Sequence, residues 1–211
     1  MRSQLLSTAY LPPVEYFALL LSEGAAIERE ERYQKQSYRN RTVIMNGNGP
    51  LNLIIPTVHD GRMGIVKEVR IEYVTPWQRA HWRSIESAYN NTPYYLYYKD
   101  ALKPFYEQKF EFLYDFNLQI IQTLLKLMRL DKNIDSTTLF TPYTDDDPRL
   151  LIHPKQARRE NYPYRLRQPY YQVFEDKFGF IPNLSIIDLL FNEGPQASAY
   201  LHALLQQFDN Q

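Results

Sequence analysis

The chain has 211 residues, 24 Lys or Arg against 24 Asp or Glu, no cysteine and an apolar share of 44%. That length and apolar content suit one domain over 1–211 with a sizeable core, and the balanced charge argues against nucleic acid as a partner. Without cysteine there are no disulfides, thiolate metal sites or Cys nucleophiles.

The opening Met1 to Tyr10 has no long apolar core, and no apolar run in the chain approaches a membrane-spanning length. The expected location is therefore the cytoplasm, with no membrane insertion. Leu5 to Ala9 reads as a short buried strand. Pro12-Pro13 opens a helix in which Val14, Phe17, Ala18 and Leu21 recur at helical spacing, and Gly24 stops it. In α/β folds such a strand-turn-helix corner faces a ligand, because ligands sit at the carboxyl ends of strands. Ala25 to Glu31 reads as a second strand. Thr42 to Met45 and Leu51 to Pro56 flank Asn46-Gly47-Asn48-Gly49, a hairpin signal. A polar loop follows over Thr57 to Lys67, and Val69 to Tyr73 alternates as a half-buried strand does.

Thr75 and Pro76 read as cap and first residue of a helix whose face is Trp77, His81, Ile85, Ala88 and Tyr89. Tyr94 to Phe105 reads as a loop with a short helix, and Phe110 to Arg129 as a long amphipathic helix. Thr137 to Phe140 is expected as another strand. From about 143 to 169 prolines punctuate a basic stretch holding Lys155, Arg158, Arg159, Arg165 and Arg167, which reads as a loop or flap. Leu184 to Phe191 and Pro195 to Phe208 read as closing helices. The fold class expected is α/β, a mixed β-sheet with flanking helices and a Rossmann-like arrangement at the first strand-turn-helix.

Chemistry concentrates in Tyr33 to Arg41. Lys35 and Arg41 offer charge, Arg41 as a planar fork for phosphate or carboxylate, and Asn40 can orient a carbonyl or hydroxyl. The competing reading is a charged edge strand that resists aggregation. His81, between Trp77 and Trp82, is a candidate general base; a lone histidine on an apolar face is more commonly a cap on that face. The run His153-Pro154-Lys155 sits in a cationic loop that could close over an anion. Asp188 stands among Ile186, Ile187, Leu189 and Leu190, so its carboxylate needs a partner, and Arg41 or Lys35 is the expected one. Asn183 or Ser185 can cap that helix. The 18 tyrosines suit a polar-edged core more readily than a stacking cleft. His59, His81, His153 and His202 lack metal-ligand spacing, so no metal is expected. There is no Gly-rich phosphate loop and no Gly-x-Ser-x-Gly elbow, which leaves any cofactor unknown.

Several of these segments recur in one family in this order. Tyr10-Leu11-Pro12 with Tyr16-Phe17, Lys35 with Tyr38-x-Asn40-Arg41, Trp77 ahead of Ile85 and Tyr89, and the run Phe180 to Asn192 together resemble the WbqC-like proteins. The resemblance spans about Leu5 to Asn192, and its last motif is the most specific. It implies a link to bacterial surface-polysaccharide (O-antigen) synthesis, with transfer of a glycine-like acyl or a glycosyl group to a sugar. Tyr10, Pro12, Tyr16, Lys35, Asn40, Arg41, Asn183, Ser185 and Asp188 carry over from it. The expectation is then a transferase whose partner is a small anionic or sugar-linked substrate. Tyr10, Tyr16, Lys35, Arg41, Asn183 and Ser185 bind the substrate, while Asn40, Asp188 and His81 are catalytic. The alternative is a non-catalytic module that holds a glycan or a protein. All of it requires the chain near residue 40 to meet the chain near residue 185 and make with it a shared, positively lined hollow.

Overall fold

A computed structural model of the protein describes residues 4–58, 64–157, 159, 161–166 and 168–209. His59, Arg158 and Arg167 lie outside the described residues. The fold is α/β. Strand β1 (Leu5–Ser7) leads into helix α1 (Val14–Leu20) and then into β2 (Ala26–Glu28), which pairs with β1 in parallel. Strand β5 (Asp135–Ser136) adds to β2, also in parallel, and completes a sheet ordered β1-β2-β5. A separate antiparallel hairpin joins β3 (Arg41–Asn46) to β4 (Gly49–Ile54). The turn forms where Asn-Gly predicts it, with the Asn46 side chain accepting from the Asn48 N–H and Gly49 at a φ of 114° that suits glycine.

Helices flank the strands: α2 (Trp77–Tyr89), α3 (Tyr95–Leu102), α4 (Leu113–Leu127), the one-turn α5 (Pro148–Leu151) and α6 (Glu175–Phe178), α7 (Ile186–Glu193) and α8 (Gln196–Asp209). The expected apolar faces are the ones that bury. Trp77, His81, Ile85, Ala88 and Tyr89 of α2 point inward, and α4 buries Leu113, Phe116, Ile120 and Leu124. Each of the Leu, Ile and Phe side chains among them stabilises by about 1.5–3 kcal/mol when fully buried. No helix among the described residues is long and apolar enough to cross a membrane.

Two expected strands differ. Val69 to Tyr73 makes only isolated bridges, Arg70 with Phe112 and Ile71 with Thr57, because it is shared between two non-strand neighbours. The third parallel strand is Asp135–Ser136 rather than Thr137 to Phe140, where the chain turns away to bring Thr141 against Glu28 of β2 and Tyr143 against Glu31 just beyond it.

The two distant segments meet, but not around the expected positively lined hollow: the groove they share has no cation among its described lining residues. The turn between β1 and α1 places the Leu11 carbonyl where both the Thr42 hydroxyl (2.7 Å) and the Ser185 hydroxyl (3.0 Å) donate to it. The Ser185 N–H also donates to the Val43 carbonyl at 2.8 Å, and the Ile186 N–H to the Pro12 carbonyl. Beside this junction the carbonyl of Tyr38 accepts from the Tyr10 N–H, and that of Arg39 accepts from Asn117 of α4. The 38–40 segment is thereby fixed at the carboxyl end of the parallel strands.

Candidate functional site

The space directly above β1 is filled by buried ion pairs. Arg39, 3% exposed, forks onto Glu31 at 2.9 and 2.6 Å and donates to the Ser7 hydroxyl at 2.8 Å. The Tyr143 hydroxyl donates to the same Glu31 carboxylate. Arg149 of α5 grips Asp147 through two bonds of 2.9 and 2.5 Å, reaches Glu28 at 3.3 Å, and takes the Thr141 and Pro142 carbonyls. Glu28 also accepts from Thr137 and from two backbone N–H groups. Two carboxylates at and just beyond the carboxyl end of β2, Glu28 and Glu31, are thus each matched by an arginine. Breaking such a buried pair is costly because it strands a charge. The void left among Ser7, Tyr16, Tyr38, Arg39 and Arg149 is only about 10 Å³, room for about one water.

What opens to solvent lies one step outward. The Gln34 to Ser37 turn, closed by the Ser37 hydroxyl donating to the Gln34 carbonyl at 2.6 Å, presents Lys35. Opposite stands a strap of residues 150–157 and 159, tied down by Arg149. Between them runs a groove of about 530 Å³ lined by Lys35, His153, Lys155 and Arg159, with Gln34, Gln36 and Gln156 between the cations. No carboxylate lines it among the described residues. His153 has a pKa below its ordinary 6.5, first through partial burial and then through the charges of Arg39, Lys155 and Arg41. Its Nδ1 accepts from the Lys155 N–H at 3.2 Å, so the neutral ring carries its proton on Nε2 and presents a donor. Cations and donors facing one open space are the arrangement that anions select.

A second groove, of about 280 Å³, runs along the other side of the same strap. Pro154 and Ala157 form its near wall, Val43 and Asn52 of the hairpin and the 181–184 segment its far wall, and Tyr38 lines it as well.

Lys35 therefore sits in the first groove and Asn183 in the second. Tyr16 reaches the small void but spends its hydroxyl on the Ser7 carbonyl. The remaining expected site residues sit elsewhere. Tyr10 is fully buried, its hydroxyl shared with Tyr106 at 2.8 Å and His81 at 3.0 Å. His81 is correspondingly a core residue: it stacks on Tyr10, meets Trp77 edge-on, and bonds to the Ile54 backbone as well. Burial lowers its pKa to about 4. With both sides of its ring engaged it has no face for a substrate, so the general-base expectation gives way to the apolar-face cap. Asp188 does not pair with Arg41 or Lys35. Tyr89 and Tyr170 donate to its two oxygens at 2.9 and 2.8 Å, and burial raises its pKa to about 6 against those bonds. Asn40 extends the hairpin ladder, its amide donating to the Ile55 carbonyl at 2.8 Å. Arg41, half-buried, begins β3, and Ser185 occupies the N-cap position of α7 without a capping side-chain bond, its hydroxyl going to Leu11 instead. The Glu31–Arg39 and Glu28–Arg149 pairs escaped the sequence reading, because nothing in a local pattern says which surface-type charges a loop will bury.

The sequence model of the WbqC-like protein family matches residues 8–165 and 160–200. The chain belongs to this family. Both grooves of this WbqC-like protein lie wholly within the matched span. It is similar to the uncharacterized protein Rv1507c of Mycobacterium tuberculosis, with 25% identity over 91% of this chain and 94% of that one. No solved structure matches it.

Proposed function

We propose that this WbqC-like protein is a transferase that acts on an anionic, phosphate-bearing or nucleotide-linked precursor of a bacterial surface polysaccharide. It moves an acyl, glycine-like aminoacyl or glycosyl group to a sugar. The observation that carries the reading is the groove in which Lys35, His153, Lys155 and Arg159 face one another at the carboxyl end of the parallel strands. Lys35 and Lys155 bind a phosphate as point charges, and Arg159 as a fork. The Nε2–H of His153 donates to an oxygen on which charge grows as the phosphate departs, a stabilisation realised most in the transition state. The glutamines on the groove wall offer neutral donors and acceptors for sugar hydroxyls.

The engagement of His81 and Asp188 by tyrosines favours a second reading, a module that binds the same precursor without turning it over. Calorimetry with pyrophosphate and a panel of nucleotide sugars tests the groove that both readings share. Binding weakened about tenfold by Lys35→Ala and by Lys155→Ala supports the groove, each removing a charge-assisted bond. Binding indifferent to both removes it. Product formation from an activated sugar with an acyl or sugar acceptor decides for the transferase.

A further inference from the structure

Resting on the reading of the first groove as the precursor's anion site, we infer that the second groove is a separate subsite for a neutral sugar, the acceptor of the transfer. The two grooves share the strap but divide its residues by chemistry. His153, Lys155 and Gln156 turn to the first, and Pro154 and Ala157 to the second. No charged residue lines the second groove among the described residues. A phosphate would lose its hydration there without gaining a counter-charge. A sugar ring would not, because it needs an apolar wall for its C–H face and amides or hydroxyls for its edges. Pro154, Pro182, Ile181 and the Tyr38 ring supply the wall, and Asn52 and Asn183 the polar fittings.

Asn183 adds an independent observation. It is 8% exposed, it lines this groove, and its Oδ1 is buried with no hydrogen-bond partner among the described residues. Native structures rarely leave such an oxygen without a donor. On this proposal a ligand hydroxyl in the groove supplies the missing donor, reached as the amide swings about its soft χ2 torsion. The volume, about 280 Å³, stands at the small end of ligand sites and fits a single ring rather than a nucleotide.

The test is saturation-transfer NMR on the whole protein with methyl glucoside and N-acetylglucosamine, with pyrophosphate as the probe of the first groove. The proposal expects sugar binding that persists in high salt and in the presence of saturating pyrophosphate. It expects about fivefold weaker sugar binding in Asn183→Gly and in Asn52→Ala, the worth of one neutral hydrogen bond, with pyrophosphate affinity unchanged in both. Glycine keeps the left-handed backbone of residue 183 (φ 61°), and Asn52 is exposed, so neither change threatens the fold. Absence of sugar binding, displacement of sugar by pyrophosphate, or sugar affinity untouched by both variants overturns the subsite. Loss of pyrophosphate binding alone, with sugar binding intact, overturns the anion groove and leaves the subsite standing.

Discussion

Glu15 shows how much one residue can reveal about the fold's pH response. It lies in the first turn of α1, fully buried, and its Oε1 accepts from Tyr162 at 3.1 Å while its Oε2 has no partner among the described residues. Desolvation raises its pKa from 4.5 to about 8, outweighing its backbone bond and the Tyr162 bond. The folded chain therefore holds a proton that the unfolded chain releases as pH rises from about 4.5 to about 8. Stability should fall across that window. Glu15→Gln, which keeps the acceptor for Tyr162 and cannot ionise, should lift the melting temperature at pH 8 and change it little at pH 5. The gain at pH 8 is on the order of a few kcal/mol. Melting curves of both proteins at the two pH values check this; a gap that does not widen with pH refutes it. Asp188, by contrast, keeps both oxygens bonded to tyrosines, so its shift is smaller, to about 6.

At the scale of elements, the β1–α1 turn and the ion pairs above β1 hold the site's scaffold. Thr42 of β3 and Ser185 at the start of α7 both donate to the Leu11 carbonyl, whose residue adopts a left-handed φ of 39°. Removing one hydroxyl leaves the buried carbonyl one partner; removing both leaves it none. Thr42→Val and Ser185→Ala should each cost about 1 kcal/mol, and the pair more than the sum, by urea titration of the double-mutant cycle. Strict additivity would show that the junction is not shared. Arg39 makes a sharper case. Arg39→Met leaves Glu31 buried and unmatched, a loss of about 3–5 kcal/mol. Arg39→Met with Glu31→Leu should recover part of that loss, and a double variant no more stable than the single would sink the pairing argument. These elements also mark where the sequence was legible. The proline-started helix, the Asn-Gly hairpin and the apolar stripes of α2 and α4 follow from local rules, because each is decided by neighbours in the chain. That the chain near residue 40 meets the chain near residue 185 was expected; that the groove between them has no charged residue among the described lining was not. Nor were the partners of Arg39 and Asp188, since pairing across the chain depends on which loops the fold brings over the sheet's end. His81 was readable both ways until the burial of Tyr10 and Trp77 around it decided the matter.

Over the whole molecule the formal charge is +0, yet the cations of one groove face a common space while the carboxylates Glu28, Glu31 and Asp147 are spent on buried arginines behind it. These three carboxylates are held by the buried arginines and do not line the groove. His153 reports the field of the nearby cations, since Arg39, Lys155 and Arg41 are among the causes that lower its pKa. An anion in the groove opposes those charges and raises the pKa of the imidazole, so binding takes up a proton wherever the free ring is neutral and the bound ring is not. Affinity for sulfate, whose own charge is constant through this range, should therefore be flat above about pH 7.5 and rise several-fold as pH falls toward 5.5. His153→Gln should flatten the low-pH rise while leaving affinity at pH 8 and its decline with salt in place, because Lys35, Lys155 and Arg159 supply those. Calorimetric titration of both proteins at pH 5.5, 6.5 and 8 measures it. Sulfate binding that ignores pH in the parent chain, or that keeps its pH dependence without the imidazole, would place His153 outside the anion's reach.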